Sequence, residues 1–290
     1  HIPIGVGANG TRWIDLSSDG PHSLVVGGTG SGKSEFLGTL VLTLALTASP
    51  KDLRFVFIDY KGGAGLAHLS TLPHVEQSIT DLDGSLTPWL LRALRALLTS
   101  RKIQCRDHGV RSVEEWEAEH RSGACPEPTP PRIVIVADEV NALAEQDSDL
   151  MEELVSVCRQ GRSLGIHLVA AAQRAGGAIS AQMRSVLDLR VALRCAEVTD
   201  SIDALGTPAA ARLPKVPGRA IVGDEAVQLA YVESPGELVT MLRRIGKPMT
   251  PVLARPLPDS VTVPELLTLT DTAGSDTMSK TIGLCEDPLN

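Results

Sequence analysis

Aromatic residues are nearly missing from this chain, with three Phe, three Trp and two Tyr in 290 residues. The core must therefore be aliphatic, and binding of single-stranded nucleic acid on stacked aromatic platforms is disfavoured. Excess positive charge is missing too. The formal net charge is −8 and the isoelectric point about 5.4, which argues against passive adhesion to a phosphate backbone or an anionic lipid surface while allowing a local basic channel. Cysteines stand at 105, 125, 158, 195 and 285, an odd number with no C-x-x-C pair. Reduced thiols fit that pattern better than a disulfide framework or a metal site. Histidines at 22, 68, 74, 108, 120 and 167 show no metal-ligand spacing and are assigned no chemistry. No run of 18 apolar residues and no signal peptide occurs, so nothing in the sequence reads as a membrane span. The chain opens on His rather than Met, as expected of an excised segment.

What is present is ordinary in bulk and specific in detail. Hydrophobic residues make up 43% and charged residues 21%, the balance of a globular protein large enough for one α/β domain with appendages. The stretch Gly27-Gly28-Thr29-Gly30-Ser31-Gly32-Lys33-Ser34 fits G-x-x-x-x-G-K-[ST], the phosphate-binding loop. An apolar, β-prone run, 22–26, precedes it, and an apolar helical run, 35–44, follows. In that context the glycines let successive backbone N–H groups converge on one anion. The helix N-terminus adds partial positive charge beneath it. Lys33 would reach the β- and γ-phosphates of ATP, and the Ser34 hydroxyl would ligate Mg²⁺.

Residues 2–16 read as two short strands around Asn9-Gly10. Arg54–Tyr60, Arg132–Glu139 and Ile166–Gln173 are continuous apolar runs, the pattern of strands covered on both faces. Val75–Asp81, Leu189–Cys195, Arg219–Val222 and Ala226–Val232 read as further strands. Helices are expected over Leu86–His108, from an N-cap at Ser112, through Leu150–Cys158, and over Ser234–Ile245. The first of these is basic, with six Lys or Arg and one acid in residues 92–111. Residues 122–131 hold four prolines and a glycine and read as a surface loop. The alternation predicts an α/β fold, a mostly parallel, doubly wound sheet flanked by helices with a ligand at the carboxyl ends of its strands. Residues 1–246 are expected to form that domain. Residues 247–290, with six prolines and no aromatic, read as a linker or tail with at most one short helix near 264–269.

Four apolar residues followed by Asp138-Glu139 form a Walker B pattern. Asp138 would hold Mg²⁺ beside Ser34, and Glu139 would act as general base toward the attacking water. Gln173, at the end of the next apolar run, is a candidate for the γ-phosphate or that water. An arginine reaching across from a neighbouring molecule often completes such a site, and Arg101, Arg162, Arg190 and Arg194 are the candidates.

These stretches together resemble the FtsK/SpoIIIE ATPase family. The resemblance is carried by residues 20–35, by Phe57-Ile58-Asp59-Tyr60-Lys61-Gly62-Gly63, by Val136-Ala137-Asp138-Glu139, by 161–168 and by Ala171-Ala172-Gln173-Arg174. Ile2-Pro3-Ile4-Gly5-Val6-Gly7, Leu72-Pro73-His74 and 212–219 are similar to the EccC-type ATPases of type VII (ESX) secretion. The resemblance covers about residues 2–232. It implies a RecA-like P-loop fold and ATP with Mg²⁺ as cofactors. It also implies sibling ATPase domains in a ring or tandem array, and a place on the cytoplasmic face within a membrane-anchored secretion complex. Arg101 matches the place of the family's candidate arginine finger. One departure is Ile202, which stands where DNA-pumping members carry arginine after Asp-Ser. Residues 281–288 echo the Pro3–Gly7 stretch, as the start of a following ATPase domain would. A secreted protein is thus favoured over DNA as the substrate. The alternatives are a DNA translocase and a slow, autoinhibited nucleotide-binding scaffold.

Overall fold

The structure, a computed structural model, describes residues 1–60, 65–80, 86–176, 179–246 and 249–253. The Lys61-Gly62-Gly63 motif, the tail helix expected near 264–269 and the echo at 281–288 lie outside the described residues.

A hairpin opens the chain, β1 (Ile2–Gly7) and β2 (Gly10–Ile14); its two-residue turn is Ala8-Asn9, one residue before the Asn9-Gly10 turn expected, because Gly10 pairs with Gly7. There follow β3 (His22–Val26), α1 (Lys33–Thr47), β4 (Leu53–Asp59) and β5 (Val75–Thr80). Two helices come next, α2 (Leu86–Asp107) and α3 (Val113–Ser122). The chain then runs through β6 (Arg132–Asp138), α4 (Val140–Gln146), α5 (Ser148–Gly161) and β7 (Ile166–Ala172). The last third contains α6 (Ala181–Arg184), β8 (Leu189–Leu193), α7 (Val198–Leu205), β9 (Arg219–Val222), β10 (Glu225–Leu229) and α8 (Pro235–Ile245).

All ten strands form one mixed sheet, in the order β2-β1-β10-β9-β8-β3-β7-β6-β4-β5. From β8 to β5 every pairing is parallel, and from β8 to β2 every pairing is antiparallel. The uninterrupted apolar runs explain the parallel part. β3, β4 and β7 are buried at every position, because helices cover both faces. One face packs under α2, α3, α4 and α5 around Leu90, Leu94, Leu143 and Leu154. The other packs under α1 and α8 around Phe36, Leu40, Val239 and Leu242.

Where one helix was expected after β6, there are two. Asp147 interrupts the run, and its carboxylate accepts from the Leu150 amide at 2.9 Å, so α5 gains its own N-cap. Ser112 caps α3 as its sequence suggests, accepting from Glu115 N at 3.2 Å. Past α8, the tail turns back onto the sheet. Arg54 on β4 and Glu76 on β5 form a buried ion pair at 3.2 Å. Arg54 also donates to the Thr250 carbonyl at 3.2 Å, and Glu76 accepts from Val252 N at 2.9 Å.

Candidate nucleotide site

The first strand of the parallel block, β3, lies between β7 and β8, so its carboxyl end is where the strand order reverses. A crevice opens at such a point. Residues 27–34 leave β3 there, stitched to both neighbours. Gly27 N donates to Ala172 O at 3.2 Å and Gly28 N to Arg194 O at 3.3 Å. Gly32 sits at φ 95°, and a β-carbon there would come within 2.8 Å of Gly218 N. At Gly27 it would meet the Ser31 hydroxyl at 2.5 Å. The position of Gly32 therefore demands glycine, and a side chain at Gly27 would have to displace the Ser31 hydroxyl. The Ser31 hydroxyl is buried without a hydrogen-bond partner, which is unusual for a polar atom unless a ligand answers it. A phosphate group fits this concavity.

Lys33 opens α1 and is buried, at 6% exposure. Its ammonium donates to Asp138 Oδ1, and to Glu139 Oε1 at 3.1 Å. Two of its three N–H donors thus go to the acids of β6's end. Burial pushes the Asp138 carboxyl above its ordinary value, while Lys33 pulls it back down and Glu139 adds to the rise. Glu139 follows immediately in a left-handed conformation, φ 53° and ψ 51°. It is the one non-glycine residue with positive φ among the described residues. Such a conformation costs about 1–2 kcal/mol, and strain of this kind clusters at functional sites.

Ser34, Asp59, Gly65, Asp138 and Glu139 line one cleft of about 530 Å³, with His68 and Val232. Asp59 escaped the sequence reading as a site residue. It ends β4 in register with Asp138 and accepts from Gly65 N at 3.1 Å. A β-carbon at Gly65 would sit 3.0 Å from Asp138 Oδ2 and 3.4 Å from Asp59 Oδ2, so both carboxylates face one small space. Hard oxygen donors, two carboxylates and a hydroxyl, suit Mg²⁺.

Gln173 lines a neighbouring cleft of about 520 Å³ on the outer side of the loop, beside Thr29, Ser31, Arg174, Arg194 and Lys215. It does not share the cleft of Asp138 and Glu139. The Arg194 Nε is buried and unpartnered there. A third cleft, about 610 Å³ and largely apolar, flanks Gly32 and is walled by Phe36, Pro217, Leu229, Tyr231 and Val232. Nothing in the sequence marks this wall, because its residues come from α1, the β8–β9 connection and the end of β10.

The expectation of a presented finger at Arg101 is not met. Arg101 is only 2% exposed and donates to the Pro131 carbonyl, just before β6 begins. Asp138 ends the same seven-residue strand, so the two residues are separated by the length of β6, about 20 Å. Burial lowers the Arg101 guanidinium to about 10, with Cys105 opposing the fall. Its spacing from Leu94, Leu97, Leu98 and Cys105 sets it on the buried stripe of α2, a signal the finger expectation did not use. Arg190 is half-buried and engaged, donating to Ala204 O at 2.9 Å and Arg184 O at 3.2 Å. Arg162 follows α5, at the amino end of β7. Of the four candidates, Arg194 alone stands beside the loop.

A glycine loop between a strand and a helix, a lysine bridged to a strand-end Asp-Glu pair, and an α/β sheet with crossed strand order define a P-loop nucleoside-triphosphatase domain. The chain belongs to the FtsK/SpoIIIE family of nucleotide-binding ATPases, whose family model matches residues 3–226. It is 39% identical over 223 residues to the type VII secretion system protein EssC of Staphylococcus aureus, covering 76% of this chain and 15% of that protein. It superposes on the cytoplasmic domain of the type VII secretion ATPase EccC of Thermomonospora curvata with a TM-score of 0.78 and 34% identity, covering 88% of this chain and 32% of the other. ATPases 2 and 3 of the T. curvata protein, solved with a signal sequence peptide, give a TM-score of 0.77 at 26% identity, over 88% of this chain and 48% of that one. The chain thus spans a small part of the proteins it matches. Among the described residues no helix is long and apolar enough to cross a membrane.

Proposed function

We propose that this domain binds ATP with Mg²⁺, hydrolyses it slowly when isolated, and serves as a motor domain of a type VII protein-secretion translocase. The observation that carries the reading is the Lys33–Asp138–Glu139 cluster at the mouth of the glycine loop. Phosphate oxygens compete with the two acids for Lys33, and Ser31 with the loop amides takes the remaining negative charge. Ser34 and Asp138 would hold Mg²⁺, with Asp59 beside them, and the ion would supply charge neutralisation to the phosphates. Glu139 accepts a proton from water as the water oxygen bonds to the γ-phosphorus and the bond to the ADP oxygen breaks. The apolar cleft beside Gly32 takes the base, with Pro217 and Tyr231 as flat surfaces. Gln173 and Arg194 contact the phosphates from the outer side. We infer a membrane-anchored parent on the cytoplasmic face, with sibling ATPase domains and a secreted protein substrate; the similarity to EssC and EccC supports that reading.

The test is turnover per molecule across a wide protein concentration range. A site completed by a neighbour's arginine should be nearly inert when dilute, since such a finger is worth about 10³–10⁵ in rate. Specific activity should climb with concentration or enforced assembly. Arg101→Met should leave that climb in place, since Arg101 is internal. Lys33→Ala should weaken ATP affinity by about 100-fold or more. Brisk hydrolysis independent of concentration would overturn the shared-site reading, and unchanged ATP affinity in Lys33→Ala would overturn the site itself.

A further inference from the structure

Away from the nucleotide site, three residues of metal-ligating type converge where α2, α3 and the proline-rich loop meet. A ring nitrogen of His108, the Cys125 sulfur and a Glu127 carboxylate oxygen lie within 4.8 Å of one another. They come from distant positions, and α3 folds one back on the others. We propose that His108, Cys125 and Glu127 form a binding site for one divalent cation of the zinc class.

The surroundings hold each donor for that task. His108 Nδ1 lies 2.9 Å from the Gln104 carbonyl. A carbonyl can only accept, so Nδ1 carries the proton and Nε2 keeps its lone pair. A metal-binding imidazole is typically oriented by such a bond from its other nitrogen. The His108 ring also stacks on Trp116, with centroids 3.8 Å apart. Trp116 Nε1 in turn donates to the Glu127 carbonyl at 3.3 Å, so one indole positions two of the three donors. Cys125 is fixed through its backbone, its carbonyl lying 3.0 Å from His120 Nδ1. The Cys125 thiol points at Glu127 Oε2, 3.4 Å away. Prolines at 126 and 128 flank Glu127 and stiffen the loop.

Imidazole, thiolate and carboxylate together select zinc over magnesium or calcium, which take oxygen donors. Three protein ligands leave a fourth position for water. Binding exchanges the Cys125 thiol proton for the cation, and the proton leaves to solvent. The loop leads directly into Arg132, the first residue of β6. A bound ion would therefore tie α2 and the loop together at the end of β6 remote from Asp138.

The test is titration of the nucleotide-free chain with cobalt(II) alone, followed by displacement with zinc. One equivalent should give a sulfur-to-cobalt charge-transfer band that zinc abolishes. Cys125→Ser should lose the band. His108→Gln should weaken cobalt binding by more than the about 10–100-fold typical of losing an outer-shell partner. Asp138→Asn should bind cobalt as the wild type does, which separates this site from the nucleotide site. Saturating zinc should raise the wild-type thermal midpoint by about 5 °C and leave Cys125→Ser unmoved. Circular dichroism confirms that the variants fold, as expected with His108 and Glu127 exposed and Cys125 half-buried. Absence of the band in the wild type, or its persistence in Cys125→Ser, would overturn the site.

Discussion

The two ends of the parallel sheet handle buried charge in opposite ways. At the amino end, Arg101, His167 and Arg132 rest on backbone carbonyls or on ion pairs. Arg101 donates to Pro131 O, His167 Nδ1 lies 3.1 Å from Pro21 O, and Arg132 is paired with Glu114 at 3.2 Å and Glu117 at 2.8 Å. At the carboxyl end the partners are themselves reactive groups. Lys33 is held by Asp138 and Glu139, Glu139 sits in a strained backbone conformation, and the Ser31 hydroxyl has no partner. Buried charged groups stand at both ends, Arg101 and His167 at one and Lys33, Asp138 and Glu139 at the other, so burial does not distinguish structure from function here. The distinction is whether the polar group's partner can be exchanged for a ligand.

That contrast makes changes at the carboxyl end kinetic and changes at the amino end thermodynamic. The largest expected effect is at Glu139. Glu139→Gln should lower kcat by about 10³-fold while ATP still binds, because the base is lost and Asp138 remains. Single-turnover hydrolysis measures it, and wild-type turnover would show the water is activated elsewhere.

Next in size is acid sensitivity from the other end. Burial lowers His22 and His167 from 6.5 to about 4 each. The unfolded chain takes up these protons below about 6.5, and the folded chain does so only near 4. Their contribution is therefore complete above pH 6.5 and is lost as pH falls toward 4, at about 3 kcal/mol per histidine at most. Denaturant midpoints between pH 7 and 4 should fall accordingly, and His167→Gln should flatten the decline. A midpoint independent of pH in that window would break the contrast.

The smallest effect tests the strain. Glu139→Gly should stabilise the fold by about 1 kcal/mol by relieving the left-handed conformation, while abolishing turnover. A loss of stability would show that the lysine contact outweighs the strain.

Much of this was legible in the sequence because it is local. The glycine loop, the Asp138-Glu139 strand end and the buried parallel strands are written in consecutive residues. What stayed hidden depends on residues meeting across the chain. Asp59 becomes a site residue through its register opposite Asp138, which no local pattern encodes. The apolar cleft at Tyr231 is assembled from separate segments. His108 and Cys125 show no ligand spacing because a whole helix intervenes. Arg101 is the instructive case. Its match to the family's candidate finger position suggested a presented role, while its spacing along α2, four residues from both Leu97 and Cys105, is that of a buried residue. Periodicity was the better guide.

The buried pair formed by Arg54 and Glu76 bears on where this polypeptide can be cut. The helix α8 ends at Ile245, and a protease or a cloning boundary placed just after it would seem harmless. Yet Thr250 and Val252 each make a hydrogen bond to the pair, and Leu253 is 5% exposed. Scission at 246 would strip the cover from two charges embedded at the edge of β4 and β5. The protease-resistant fragment of this domain should therefore run at least through Leu253.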